Sequence, residues 1–182
     1  YAIVDAHEKG YDENIYVDAA TRTNIEETGG ANVILIKGNT LVTPKSDSIL
    51  PSITRRSILH VAKEYLGLEV EERPVALSEV ADFAECGLCG TAAVISPVGS
   101  VYDHGREILF PSGMEKMGPV IQKLYDTLMG MYNDTLMTLF DGDEGDEDDA
   151  GNVDWGVSEY PPAPDPIQKY LRRSFRTTCP LA

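Results

Sequence analysis

Cysteine is scarce in this chain: three among 182 residues. That is an odd number, too small for a disulfide scaffold, so a reducing, cytoplasmic compartment is the expectation. No apolar stretch approaches the roughly 20 residues that a membrane-crossing helix needs, and the first residues lack a basic-then-apolar leader pattern, so no membrane partner is expected. Basic residues are few, 15 against 30 acids, for a formal charge of −15. This argues against nucleic acid as a partner. Metal-ligand sets are missing too. Cys86-x-x-Cys89 has no second Cys/His pair at suitable spacing, and His7, His60 and His104 are scattered, so the two cysteines read as turn residues. Asp146-x-Asp148-x-Ala150-Gly151 imitates a calcium loop, but Ala150 and Val157 occupy ligand positions and defeat it. No metal is expected, and there is no internal repeat.

What remains is the composition of an ordinary globular protein, 42% hydrophobic and 25% charged, long enough for one sizeable core and a tail. Seven acids lie between Asp141 and Asp149, so much of the charge imbalance is local. The chain divides at residues 1–131, a domain of mixed helix and strand; 132–160, an acidic insertion and C-terminal segment; and 161–182, a disordered proline-marked linker with a basic tail from Lys169 to Arg176.

Hydrophobic period places the elements of the first unit. Ala2, Ile3, Val4 and Ala6 give a helix up to Gly10, Asn14–Asp18 a strand, and Ala19–Asn24 its turn. Val33–Ile36 is an apolar strand that Gly38-Asn39 folds back into Leu41-Val42-Thr43. Ile58, Leu59, Ala62, Tyr65 and Leu66 recur at helical spacing behind Pro51, read as a first-turn proline, and end at Gly67. Leu68–Val75 reads as a strand, and Ser78 as the cap of a short helix through Phe83. Glu85–Thr91 is a glycine-rich turn into a buried strand, Ala92–Ile95, closed by Pro97. Val101-Tyr102 and Ile108–Phe110 form a hairpin around Asp103-His104-Gly105. Gly118-Pro119 opens a last helix, with Val120, Ile121, Leu124, Tyr125 and Leu128 on one face.

Three stretches suit chemistry. The start of the helix after Pro51 presents unpaired N–H groups and the positive end of the helix dipole, which suits phosphate, and Thr54 adds a hydroxyl. Glu26-Glu27 stands beside Gly29-Gly30 directly before an apolar strand. A buried acid there needs a cationic partner, and a protonated pyridine nitrogen would serve; two acids on an exposed turn is the plainer reading. At Gly90-Thr91-Ala92-Ala93 small residues admit close approach of a ligand, and the Thr91 hydroxyl with the following N–H groups could hold phosphate or carboxylate; a tight turn is the alternative.

These three motifs in this order resemble the C-terminal part of a branched-chain amino-acid aminotransferase, a fold-type IV pyridoxal-phosphate enzyme. The family's Glu-x-Gly-x-x-Asn signature stands as Glu27-Thr28-Gly29-Gly30-Ala31-Asn32. Its Leu-Pro-x-(Ile/Val)-Thr-Arg loop stands as Leu50-Pro51-Ser52-Ile53-Thr54-Arg55, with Ser52 where glycine is common, and its Gly-Thr-Ala strand entry as Gly90-Thr91-Ala92. The resemblance implies the larger α/β (α+β) domain of the D-amino-acid aminotransferase-like fold, incomplete at its N-terminus. It implies pyridoxal 5'-phosphate held by Glu27 at the ring nitrogen and by Ile53, Thr54 and Thr91 at the phosphate, with the backbone of Thr91 and Ala92 facing the substrate carboxylate. It also implies transfer of an amino group between leucine, isoleucine or valine and 2-oxoglutarate, in a homodimer. The family's Schiff-base lysine aligns upstream of Tyr1, and none of Lys9, Lys37, Lys45, Lys63, Lys116, Lys123 or Lys169 matches its motif, so no catalytic residue is assigned and this chain alone is expected to be inactive. The alternatives are a non-catalytic remnant that binds partners, or another class IV enzyme such as a D-amino-acid aminotransferase or aminodeoxychorismate lyase.

Overall fold

The apolar run Val33–Ile36 dictates the architecture, because a strand without a polar face needs cover on both sides. In the computed structural model, which describes residues 2–110 and 116–141 with side chains as far as Tyr132, this run forms β3 (Asn32–Lys37). Successive side chains point to opposite faces: Val33 and Leu35 enter one core cluster, Ile34 and Ile36 the other.

The neighbours of β3 follow from its turns. Gly38, at a φ of 58° that favours glycine, folds the chain back into β4 (Thr40–Pro44), with Leu35 opposite Val42. The other edge of β3 takes β7 (Glu85–Gly90), antiparallel, with Val33 opposite Leu88, and β8 (Val94–Val98) pairs with β7 in turn. Helix α2 (Ile53–Glu64) carries the chain from β4 to β5 (Glu69–Arg73), which lies parallel to β4; a parallel neighbour requires such a crossover. With β1 (Ile15–Val17), β2 (Asn24–Thr28) and β6 (Val75–Ala76) the sheet has eight strands. The connection from β1 to β2 is held by Asp18, whose carboxylate accepts the N–H groups of Thr21, Thr23 and Asn24. Those donors hold it below the ordinary carboxylate range.

Two layers cover the sheet. Ile58, Leu59, Val61 and Ala62 of α2 and Ile121, Leu124 and Leu128 of α3 (Pro119–Asp141) close over Ile34, Ile36, Leu41, Cys89 and Ile95. The other face packs Val80 and Phe83 against Val101, Ile108 and Phe110 of the hairpin β9 (Ser100–Asp103) and β10 (Arg106–Leu109). Helix α1 (Ala2–Glu8) buries Ala6. The mixed helix-and-strand class read from the sequence is the class observed.

Several local expectations change. Glu85–Thr91 is not a turn: its glycines sit in the buried strand β7, and Gly87 allows close packing. A Cβ there would lie 3.2 Å from Ile121 Cδ1 and Ile95 Cγ2 and 3.3 Å from Ile34 Cγ1. Gly87→Ala is therefore expected to cost about 1–3 kcal/mol by overpacking, read as a lower denaturation midpoint. Cys86 and Cys89 are three apart on a strand, hence on opposite faces, one in each core cluster, so they are neither a turn pair nor a redox pair. Pro51 precedes the helix, since Ser52 is the N-cap and its hydroxyl accepts Arg55 N–H at 3.2 Å. Pro74, which cannot donate to a ladder, divides the strand read over Leu68–Val75 into β5 and β6. Ser78 lies inside a 3₁₀ turn, Leu77–Asp82, that begins after Ala76 without a side-chain cap. Pro97 is within β8, opposite Gly87, instead of closing it. Glu26 and Glu27 are on strand β2, not an exposed turn, and α3 continues past Met131 to Asp141.

The acidic run after Asp141, the calcium-loop imitation, the proline-marked linker and the basic tail lie outside the described residues. Among the described residues no helix is long and apolar enough to cross a membrane.

Candidate active site

The spacing Glu27 to Asn32 has a geometric meaning. Thr28-Gly29-Gly30-Ala31 makes a four-residue hairpin loop, so residues five apart become a cross-strand pair on one face. The Thr28 hydroxyl accepts Ala31 N–H at 3.0 Å and donates to Ala31 O at 3.0 Å, which fixes the loop. Asn32 Nδ2 then donates to Glu27 Oε2 at 2.9 Å and to the carbonyl of Leu50 at 3.2 Å. Leu50 N–H donates back to both Glu27 oxygens, at 3.2 and 3.3 Å. Two motifs 18 residues apart in sequence are thus tied by side chain and backbone. Glu27 is half-buried, and both its partners donate, so its charge is held and aimed.

From Leu50 the chain runs through Pro51 and Ser52 into α2. Leu50 and Ser52 line the hollow, and the first N–H groups of α2 begin directly behind the Ser52 cap. Ile53 is 75% exposed and does not line this cavity. Thr54 is buried in the first turn.

Opposite stands the turn Thr91-Ala92-Ala93 between β7 and β8. It ends at Val94, whose φ of 58° is costly for a β-branched residue. Glu27, Asn32, Leu50, Ser52, Cys89 and Thr91 are among the residues lining a cavity of about 190 Å³, with Gly29, Gly30 and Gly90 narrowing its walls least. A second cavity of about 310 Å³ adjoins it across Gly30 and Gly90 and adds Ala92, Ala93, Ser96, Asp12 and Glu13. Burial pushes the Cys89 thiol up to about 12, the charge of Arg55 offsetting part of the shift. It is therefore a neutral floor and no nucleophile at neutral pH.

Of the residues singled out from sequence, Glu27 and Thr91 share the first cavity, and Thr91 and Ala92 the second. Ile53 and Thr54 do not line the first cavity; they start the helix immediately behind Ser52. Asn32, Leu50 and Ser52 were missed as site residues. The five-residue hairpin spacing could have found Asn32 and the N-cap pattern Ser52; nothing in the sequence marks Cys89. Among the described residues no lysine lines either cavity. Lys9 and Lys37 pair elsewhere, with Asp5 and Asp82.

Comparison with known proteins gives a consistent picture. Residues 1–101 match the family model for amino-transferase class IV. The branched-chain-amino-acid aminotransferase of Haemophilus influenzae is 49% identical over 125 residues, 68% of this chain and 36% of that protein. The branched-chain amino acid aminotransferase of Thermobaculum terrenum in its PLP form (holo form) is 36% identical with a TM-score of 0.60, over 69% of this chain and 39% of that one. A Legionella pneumophila protein described as a 4-amino-4-deoxychorismate lyase is 30% identical with a TM-score of 0.60, over 71% of this chain and 44% of that one. The chain spans about a third of the length of the curated relatives it matches.

Proposed function

We propose, from the premise that this chain belongs to the amino-transferase class IV family, that it is the cofactor-binding portion of a branched-chain amino-acid transaminase using pyridoxal 5'-phosphate. The observation that carries this reading is the tie between Glu27, Asn32 and Leu50 at one wall of a cavity whose other wall is Thr91. The donor set suits the cofactor. A carboxylate oriented by two donors matches a protonated ring nitrogen, a helix start and a threonine hydroxyl match a dianionic ester, and the glycines leave width for a flat ring.

Bound there, pyridoxal phosphate supplies the electron sink for reaction at an amino-acid α-carbon. The chain's own residues bind and orient. Glu27 would face the ring nitrogen as its counter-charge, and the amides of Ile53 and Thr54 with the hydroxyls of Thr54 and Thr91 would hold the ester. The backbone at Thr91-Ala92 meets the substrate carboxylate from the second cavity. The substrates are leucine, isoleucine or valine and 2-oxo acids such as 2-oxoglutarate, in a homodimer of the complete protein. The fold does not separate this from a class IV lyase, since both solved relatives superpose equally well, but 49% identity to a branched-chain transaminase favours the transaminase.

Equilibrium dialysis with ligands that need no lysine tests the reading. The reduced adduct N-phosphopyridoxyl-L-leucine is expected to bind about tenfold more tightly than pyridoxal phosphate alone and than the D-leucine adduct. Equal affinity for all three would refute a transaminase site. Since no described lysine lines the cavities, borohydride reduction of the chain with pyridoxal phosphate is expected to leave no single lysine labelled, as mass spectrometry of the digest would read.

A further inference from the structure

Arg55 is a cation inside the fold, 8% exposed, and no role assigned above uses its side chain. Burying a guanidinium is costly unless every face of it is satisfied, and here three acceptors converge on it. Nε donates to Thr43 Oγ1 at 3.1 Å, and Nη2 donates to Pro44 O at 3.4 Å and to Glu72 Oε2 at 2.5 Å. The Thr43 hydroxyl, accepting from Arg55, donates its own O–H to Val33 O at 2.8 Å. Val33 follows Asn32, which holds Glu27 and Leu50.

The chain of bonds has a mechanical reading. The register of β3 with β4 ends at Leu35 opposite Val42, so a backbone pair gives way to the Thr43 side chain where the two strands part. The sequence between that point and α2 carries Leu50, Pro51 and Ser52 over the cavity. Two contacts among the described residues help to pin the far end of this span: the tie of Leu50 to the hairpin, and Arg55 in the first turn of α2. Arg55 also gives its backbone N–H to the Ser52 cap. Its forked side chain grips β4 and β5 at once, which a lysine's single ammonium cannot reproduce.

We propose that Arg55, acting through Thr43, is a positioning residue that holds the first turn of α2 against the sheet so that its amides stay aimed at the anionic end of the ligand. The inference rests on the cofactor site proposed above, and the experiment separates the two. Affinities of the 182-residue chain for pyridoxal phosphate and for pyridoxal, which lacks the phosphate, are measured by equilibrium dialysis for the natural sequence and for Arg55→Lys, Thr43→Val and Thr43→Ser, alongside thermal melts. The natural chain is expected to bind the phosphorylated ligand at least tenfold more tightly; no preference would overturn the site and this inference with it. Given that preference, Arg55→Lys and Thr43→Val are expected to lose about tenfold for pyridoxal phosphate, with pyridoxal unchanged. Thr43→Ser, which keeps the hydroxyl, should stay within twofold of the natural chain. Unchanged affinity for the phosphorylated ligand in Arg55→Lys, or parallel losses for both ligands, would reduce Arg55 to a general structural contact. Should Thr43→Val fail to fold, Arg55→Lys and Thr43→Ser still decide.

Discussion

Replacing Glu85 by alanine is expected to lower the stability of this chain by about 3 kcal/mol. Glu85 opens β7 and is 4% exposed, yet it has no cation beside it in the described ion pairs. Its carboxylate instead accepts the N–H groups of Val120 and Ile121, at 3.1 and 2.9 Å, at the start of α3. It is a cap supplied from another element: the helix's positive end stabilises the acid, and the acid satisfies two orphan donors. Alanine removes both bonds and leaves the buried Ile121 donor and the part-buried Val120 donor without that partner. Gly118 is the other half of the device, because a Cβ there would overlap the Glu85 carboxylate. Gly118→Ala should therefore cost about as much, by displacing the cap, and almost nothing further in a Glu85→Ala background. Chemical denaturation of the two single variants and the double variant measures this. Additive losses, with no coupling, would show that the clash is with something other than the acid.

Glu27→Gln is expected to weaken binding of pyridoxal phosphate about 30-fold, the equivalent of about 2 kcal/mol. Two effects combine. The amide cannot balance a protonated ring nitrogen, and both groups around it, Leu50 N–H and Asn32 Nδ2, are donors, so the new NH₂ confronts a donor whichever way it turns. Because the ring nitrogen belongs to both ligands, pyridoxal should lose affinity in proportion. That separates this variant from Arg55→Lys, where only the phosphorylated ligand should respond. Retention of the natural affinity in Glu27→Gln would mean that this acid does not face the ring.

How much could be read from sequence depended on whether the signal was local. The hairpin at Gly38-Asn39, the helix after Ser52 and the strand Val33–Ile36 were legible because a turn residue or an apolar period marks each one. The glycines of β7 misled, since glycine reads as a turn when nothing local shows that Ile34, Ile95 and Ile121 crowd the position. Pro51 misled by two residues because Ser52, a better cap, follows it. The resemblance brought Glu27, Thr91 and Ala92 into view, but not Ser52. The bonds that join their loops run through Asn32, Leu50, Thr43 and Arg55, and those from Asn32 to Leu50 and from Arg55 to Pro44 span 18 and 11 residues, beyond the reach of any period or propensity.

The placement of β3 also has a consequence during synthesis. One of its edges pairs at once with β4 across a tight turn, while the other waits for β7, about fifty residues later in the chain, and α3 must follow before Ile34 and Ile36 are covered. Until then a nascent chain carries an unpaired, greasy strand edge, the type of surface that invites pairing with a neighbouring copy. Non-local closure of this sort slows folding. The early half of the chain is thus the part most in need of protection on the ribosome, and residues far downstream end that exposure.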